Sequence, residues 1–175
     1  MSNAIDLNAL IVAKAPLLSQ ALGEMYPLTI AMTLPIWKLN GNVSQVEQAL
    51  FNLVTQAREA MPDGGHIRAE TANVTLKSQD VLRHLGVRAG DYVMLSVTDL
   101  GLGLTPEIQE HVFEPFFTLT KFGQDTGLRL ATCHSICKQN GGAIEVKSTP
   151  GEGSTFKLYL PRFADASLPS EVVAA

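Results

Sequence analysis

The sequence predicts an α+β sandwich, with helices covering one face of a mixed sheet. Three observations carry this. Apolar residues recur at helical spacing in some segments and alternate in others. The strand-like segments are joined by turns too short for parallel crossovers, which excludes a doubly wound sheet. The 175 residues are 46% hydrophobic, 17% charged and 6% aromatic, so one domain with a mostly aliphatic core is expected.

Residues 7–24 carry Leu7, Leu10, Ile11, Leu17, Leu18 and Leu22 at helical spacing, with a break expected at Pro16. Residues 27–34 read as a strand. The next helix, 44–61, is opened by a capping box of Ser44 and Glu47. Val46, Ala49, Leu50, Leu53, Ala57 and Ala60 form its apolar stripe, and Pro62-Asp63-Gly64-Gly65 ends it. Residues 66–76 alternate partly through Ile67, Ala69, Thr71 and Val74, as a half-buried strand does. Residues 77–90 read as a polar connection. Tyr92, Val93, Leu95 and Val97 make a strand with Asp99 at its end. Pro106 starts a short helix over 106–112. A helix over 127–140 is closed by Asn140-Gly141-Gly142. Ile144–Lys147 and Thr155–Leu160 are strands joined by Thr149-Pro150-Gly151-Glu152-Gly153. Residues 1–4 resemble a start or expression remnant and stand outside this assignment. The domain is expected over 5–162, with 163–175 as a flexible tail or linker.

A net charge of −4 excludes the basic footprint of nucleic-acid binding and a polybasic membrane surface. It permits a local phosphate pocket. Lys14 and Pro16 interrupt the most apolar N-terminal stretch, so no run spans a bilayer and no secretory pattern opens the chain. A cytoplasmic location is expected, with a membrane tether through other segments left open. Cys133 and Cys137, four apart, share a helix face and read as small core residues rather than a disulfide or a zinc site.

Three stretches are candidates for chemistry. Asn52, Gln56 and Glu59 fall on one helix face beside the apolar stripe, where polar groups line a pocket or are simply solvated. Asp99-Leu100-Gly101-Leu102-Gly103 follows an apolar strand. A carboxylate there can accept a hydrogen bond from an amino group, and the glycines permit close backbone approach, although an ordinary turn gives the same pattern. Gly123-Gln124-Asp125-Thr126-Gly127 enters a helix N-terminus, whose free N–H groups suit phosphate, but Asp125 places a negative charge there.

In this order the stretches resemble the GHKL, or Bergerat-fold, ATP-binding domain, and within it the catalytic domain of bacterial sensor histidine kinases, particularly hybrid kinases. Val46–Gly65 matches the N box, Asp99–Gly103 the G1 box, Phe113–Thr118 the F box and Gly123–Leu130 the G2 box; Gly151–Pro161 matches the last hairpin. The resemblance implies a mostly antiparallel sheet of about five strands under about three helices. It implies that Asp99 reads the adenine amino group, while Gly101 and Gly103 shape the adenine pocket. Ser154 or Thr155 supports the base. Asn52 lines the phosphate end, Gln56 and Asn52 hold magnesium, and Glu59, Thr126, Gly127 and Leu128 join the nucleotide site. Residues 113–126 form a lid. Mg-ATP then serves phosphoryl transfer to a histidine on a separate dimerisation domain, with a response-regulator receiver downstream.

The departures fall on functional positions. The family's magnesium-binding Asn is Gln56 here, one methylene longer, or roughly 1.5 Å. Two G2 glycines are Asp125 and Arg129, which lie four apart and could pair. The F-box lysine is displaced by one place, in Thr118-Leu119-Thr120-Lys121. Weakened nucleotide binding is therefore expected, and a non-catalytic docking module is the alternative. A gyrase- or chaperone-type ATPase has a glutamate base where this chain has Asn52, which argues against hydrolysis; a serine-kinase relative fits the F box and Leu160-Pro161 less well. His66, His84, His111 and His134 sit at a strand edge, in a loop, before the F box and inside a helix. None suits a phosphoacceptor, so this chain alone is not expected to autophosphorylate.

Overall fold

Alternating apolar residues in five segments pair into one sheet. The computed structural model describes residues 3–114 and 124–164, with side chains from Leu128 onward in the second stretch. The elements are β1 (Asn3–Ile5), α1 (Leu7–Leu22), β2 (Leu28–Ala31), β3 (Leu39–Gly41), α2 (Val43–Glu59), β4 (Ile67–Leu76), α3 (Gln79–Leu85), β5 (Gly90–Asp99), α4 (Pro106–His111), α5 (Gln124–Gln139), β6 (Ala143–Thr149) and β7 (Gly153–Pro161). The five-stranded sheet has the order β2-β4-β5-β7-β6. Its β2-β4 pair is parallel and the other pairs are antiparallel. β1 and β3 form a separate antiparallel pair.

Period-two alternation puts Val93, Leu95 and Val97 of β5 and Phe156, Leu158 and Leu160 of β7 on one face. There they meet Val46, Leu50, Leu53 and Val54 of α2, Leu7, Ile11 and Leu18 of α1, and Leu130, Cys133 and Ile136 of α5. The predicted two-layer sandwich is thus present, with three helices over the sheet. α2 is its central helix. Leu50 and Leu53 are fully buried, each stabilising by about 1.5–3 kcal/mol through removal from water.

Four local expectations are corrected. α1 runs through Pro16, which is exposed; the Val12 carbonyl that loses its N–H partner lies at an exposed residue, where water can satisfy it. α2 is capped by Asn42, whose side chain accepts the Gln45 N–H at 3.1 Å, rather than by Ser44. Residues 77–90 contain α3, which ends at Gly86 with φ 72°. Its Leu85 packs with Tyr92, Ala143 and Tyr159 in a second cluster, on the sheet face opposite the main core; Val74 joins that cluster rather than the main one. His84 is therefore helical. Finally, Asn3 and Ala4 belong to β1, opposite Gly41 and Asn40. Cys133 and Cys137 are free thiols at 0% exposure. Among the described residues no helix is long and apolar enough to cross a membrane.

Candidate functional site

Asp99 continues the inward-facing series of Val93, Leu95 and Val97 beyond the apolar part of β5, so a carboxylate is buried at the strand's end. It is 2% exposed. Its Oδ1 accepts the Gly101 N–H at 2.9 Å. Burial pushes its carboxyl above the ordinary Asp value, while the N–H groups of Gly101 and Ser154 pull it down.

The following loop is clamped on two sides. A Cβ at Gly101 would lie 2.2 Å from the Ala60 carbonyl oxygen at the end of α2. One at Gly103, which has φ +74°, would lie 2.2 Å from the Thr149 carbonyl oxygen. Glycine is thus needed at both places for the loop to seat. The Leu102 N–H donates to Ala60 O at 3.4 Å, and the Gly151 N–H donates to Leu102 O at 2.7 Å.

α2 supplies the facing wall. Gln56 is 9% exposed, and its Oε1 has no hydrogen-bond partner among the described residues. Gln56 and Glu59 of α2, Ala60 at its end, Asp99 of β5, Leu102, Gly103 and Leu104 of the loop, and Ser154 and Phe156 of β7 enclose a cavity of about 270 Å³. That is near the lower end of small-ligand sites, about 300–1,000 Å³. A depression of about 400 Å³ adjoins it, sharing Asp99 and Ser154, and one of about 700 Å³ lies elsewhere; neither is lined by Gln56. The unsatisfied amide is the stronger indication, because an orphaned buried acceptor costs stability until something binds it.

The sequence candidates divide. Gln56, Glu59, Asp99, Gly103 and Ser154 line the cavity. Gly101 seats the loop behind it. Asn52 lies one turn earlier, where its Nδ2 donates to the Arg129 carbonyl at 3.4 Å and ties α2 to α5. Glu59 forms an ion pair with the Arg129 guanidinium. Arg129 is therefore joined to Glu59; the Asp125 side chain lies outside the described residues. Ser154 is buried and shares a hydrogen bond with Ser148 at 2.8 Å. Thr155 does not enter the cavity: it sits on the opposite face of β7 and shares a hydrogen bond with Thr98 at 3.0 Å. That favours Ser154 of the two hydroxyls. Thr126 and Gly127 lie in the first turn of α5, without described side chains, and Leu128 follows at 48% exposure. Residues 115–123, with most of the F box, the lid and Lys121, lie outside the described residues. Ala60, Leu104 and Phe156 were not read from sequence as site residues, and the Glu59–Arg129 pair joins positions 70 apart, which no local spacing signals.

Among the described residues no group of three His, Cys, Asp or Glu side chains could hold a metal. A divalent ion here would take oxygen from Gln56, with Asn52 nearby, and from the ligand itself. The orphaned Gln56 oxygen fits a hard cation in kind, as a neutral oxygen donor.

The fold is a two-layer sandwich with a buried carboxylate and an unsatisfied amide lining one cavity. The family model described as "Histidine kinase-, DNA gyrase B-, and HSP90-like ATPase" matches residues 41–164. Sensor kinase CckA of Brucella abortus (strain 2308) is 36% identical over 161 residues, an alignment covering 92% of this chain and 17% of that protein. Sensor histidine kinase ZraS of Escherichia coli (strain K12) is 34% identical, covering 90% of this chain and 30% of that one. The nucleotide-free catalytic domain of histidine kinase ThkA superposes with a TM-score of 0.71 at 24% identity, over 93% of this chain and 96% of that one. Full-length ShkA in complex with AMPPNP gives 0.72 at 22% identity, over 95% and 32%. The chain belongs to the histidine kinase-, DNA gyrase B- and HSP90-like ATPase family, as an ATP-binding domain of the sensor-histidine-kinase type. It spans less than a third of the length of the two sensor kinases.

Proposed function

We propose that this domain presents Mg-ATP for phosphoryl transfer to a histidine on a separate dimerisation domain of a cytoplasmic sensor-kinase segment, from which a receiver domain takes the phosphoryl group. The domain occupies 5–162, with 163–175 as a linker or tail. The observation that carries this is the cavity between Asp99 and the orphaned Gln56 oxygen. In this reading Asp99 accepts the adenine amino N–H, which its carboxylate can do while Oδ1 still holds Gly101, because a carboxylate offers about four lone-pair positions. Ser154 supports the base. Leu104 and Phe156 give the base an apolar wall, with Leu102 at the exposed rim.

Gln56, and Asn52 beside it, would hold magnesium; the ion supplies neutralisation of triphosphate charge. The longer reach of Gln56 relative to the family's Asn makes this grip weaker, since magnesium tolerates little geometric error. Positioning and charge neutralisation, rather than a protein nucleophile, supply the catalysis. The docking-module reading has no observation of its own in its favour.

Calorimetric titration with ATP and magnesium tests the binding, and transfer of labelled γ-phosphate to an added histidine-bearing dimerisation domain tests the chemistry. Saturable ATP binding lost in Asp99→Ala is expected. No binding at millimolar ATP would overturn the reading in favour of a docking module.

A further inference from the structure

The Glu59–Arg129 pair stands beside the candidate site and has no part in the function described so far. It links the C-terminal turn of α2, two residues before Met61, to the second turn of α5. Glu59 also lines the cavity with Gln56. Arg129 is largely withdrawn from water, its side chain 18% exposed, while that of Glu59 is 39% exposed. A guanidinium placed there carries a desolvation cost, and Arg58 adds repulsion close by; both effects act against the protonated form of Arg129. A half-exposed carboxylate such as that of Glu59 holds a cation only modestly, whereas a phosphate offers the same planar fork more charge and more acceptor oxygens.

We propose that Arg129 is a phosphate-binding residue that Glu59 holds in the nucleotide-free domain, and that a triphosphate entering beside Gln56 takes it over. This rests on the ATP-binding reading above. Arginine in place of glycine on α5 then adds a phosphate contact, and the exchange costs little because Glu59 is exposed enough to be rehydrated when released.

The test is calorimetric titration of the whole chain and of two variants, Arg129→Met and Glu59→Gln, with ATP and with adenosine, in the absence of magnesium. Thermal melts establish that each variant folds. For Arg129→Met, at least tenfold weaker ATP binding with adenosine affinity unchanged is expected. For Glu59→Gln, the ratio of ATP to adenosine affinity is expected to rise severalfold. The Glu59→Gln arm stands even where Arg129→Met fails to fold. Equal losses for ATP and adenosine, or tighter ATP binding by Arg129→Met, would show that the pair only braces the helices or blocks the site. If the unaltered chain binds adenosine but not ATP, the phosphate contact fails while the base site survives. If it binds neither, and added magnesium does not restore ATP binding, the ATP-binding reading fails and this inference with it.

Discussion

Replacing Asp99 with Asn changes one atom type and almost no volume, at a position 2% exposed. The Gly101 N–H, held by Oδ1 at 2.9 Å, must keep its acceptor, because an abandoned buried donor costs about 1–3 kcal/mol. The amide oxygen is therefore committed to the Gly101 and Ser154 N–H groups, and the new NH₂ is left toward the ligand. An adenine amino group then meets a donor where it had an ionised acceptor. Loss of that charge-assisted bond is worth about 1.5–3 kcal/mol, or about 10- to 150-fold in affinity. Stability moves the other way. Burial raises the native carboxyl above 3.8, so the folded state takes up a proton more readily than the unfolded chain. The carboxylate therefore costs stability near neutral pH, and that cost is relieved as pH falls through the raised native value toward 3.8. The amide removes the cost and the pH dependence together. Titration with ADP, and thermal melts from neutral pH down through this window, read both effects. Unchanged ADP affinity, or a nucleotide-free Asp99→Asn variant that is strongly destabilised at neutral pH, would refute this account of the carboxylate.

Other substitutions probe the rest of the fold and site. Gln56→Asn, which restores the shorter amide, should strengthen the magnesium-dependent part of ATP affinity while leaving adenosine affinity alone, as compared by titrations with magnesium and with chelator. Gly101→Ala forces a Cβ to within 2.2 Å of the Ala60 carbonyl oxygen, so a loss of about 1–3 kcal/mol is expected, seen as a fall in Tm of roughly 2–12 °C by scanning calorimetry. Asn8→Ala removes the acceptor of the Thr71 hydroxyl at 2.8 Å and the donor to Thr33 O at 2.8 Å, which should cost about 1–3 kcal/mol in a urea melt. Cys133, whose thiol burial pushes up to about 12, should react with a disulfide reagent only under unfolding conditions.

The long apolar patterns were legible because burial enforces them over many residues. α2, β4, β5, α5 and the β6–β7 hairpin all lie within a few residues of their predicted bounds. Short or edge elements were not. β1 and β3 have three residues each, and only their mutual pairing stabilises them. α3 shows just two buried residues, Leu82 and Leu85, although Ser78, Asp80 and Gly86 mark its ends. The Asn42 cap was present in sequence as Asn42-x-x-Gln45, the same pattern as Ser44-x-x-Glu47 two residues on. At the site, the residue types and spacings pointed to Asp99, Gln56 and Glu59. They could not separate Ser154 from Thr155, because facing in or out depends on β7 register, nor pair Glu59 with Arg129, which meet only through tertiary packing.

The contact between Gly101 and the Ala60 carbonyl has a mechanical corollary. Gln56 and Ala60 are one turn apart on the same helix, and the loop that begins at Asp99 rests on the second of them. One helix thus carries the Gln56 amide of the cavity wall and, at its end, seats the loop that follows the buried acid, while β5 holds the acid itself. Sliding or rotating α2 against the sheet would shift the Gln56 amide and the seat of Gly101 in step, while Asp99 stayed paired with Ser154.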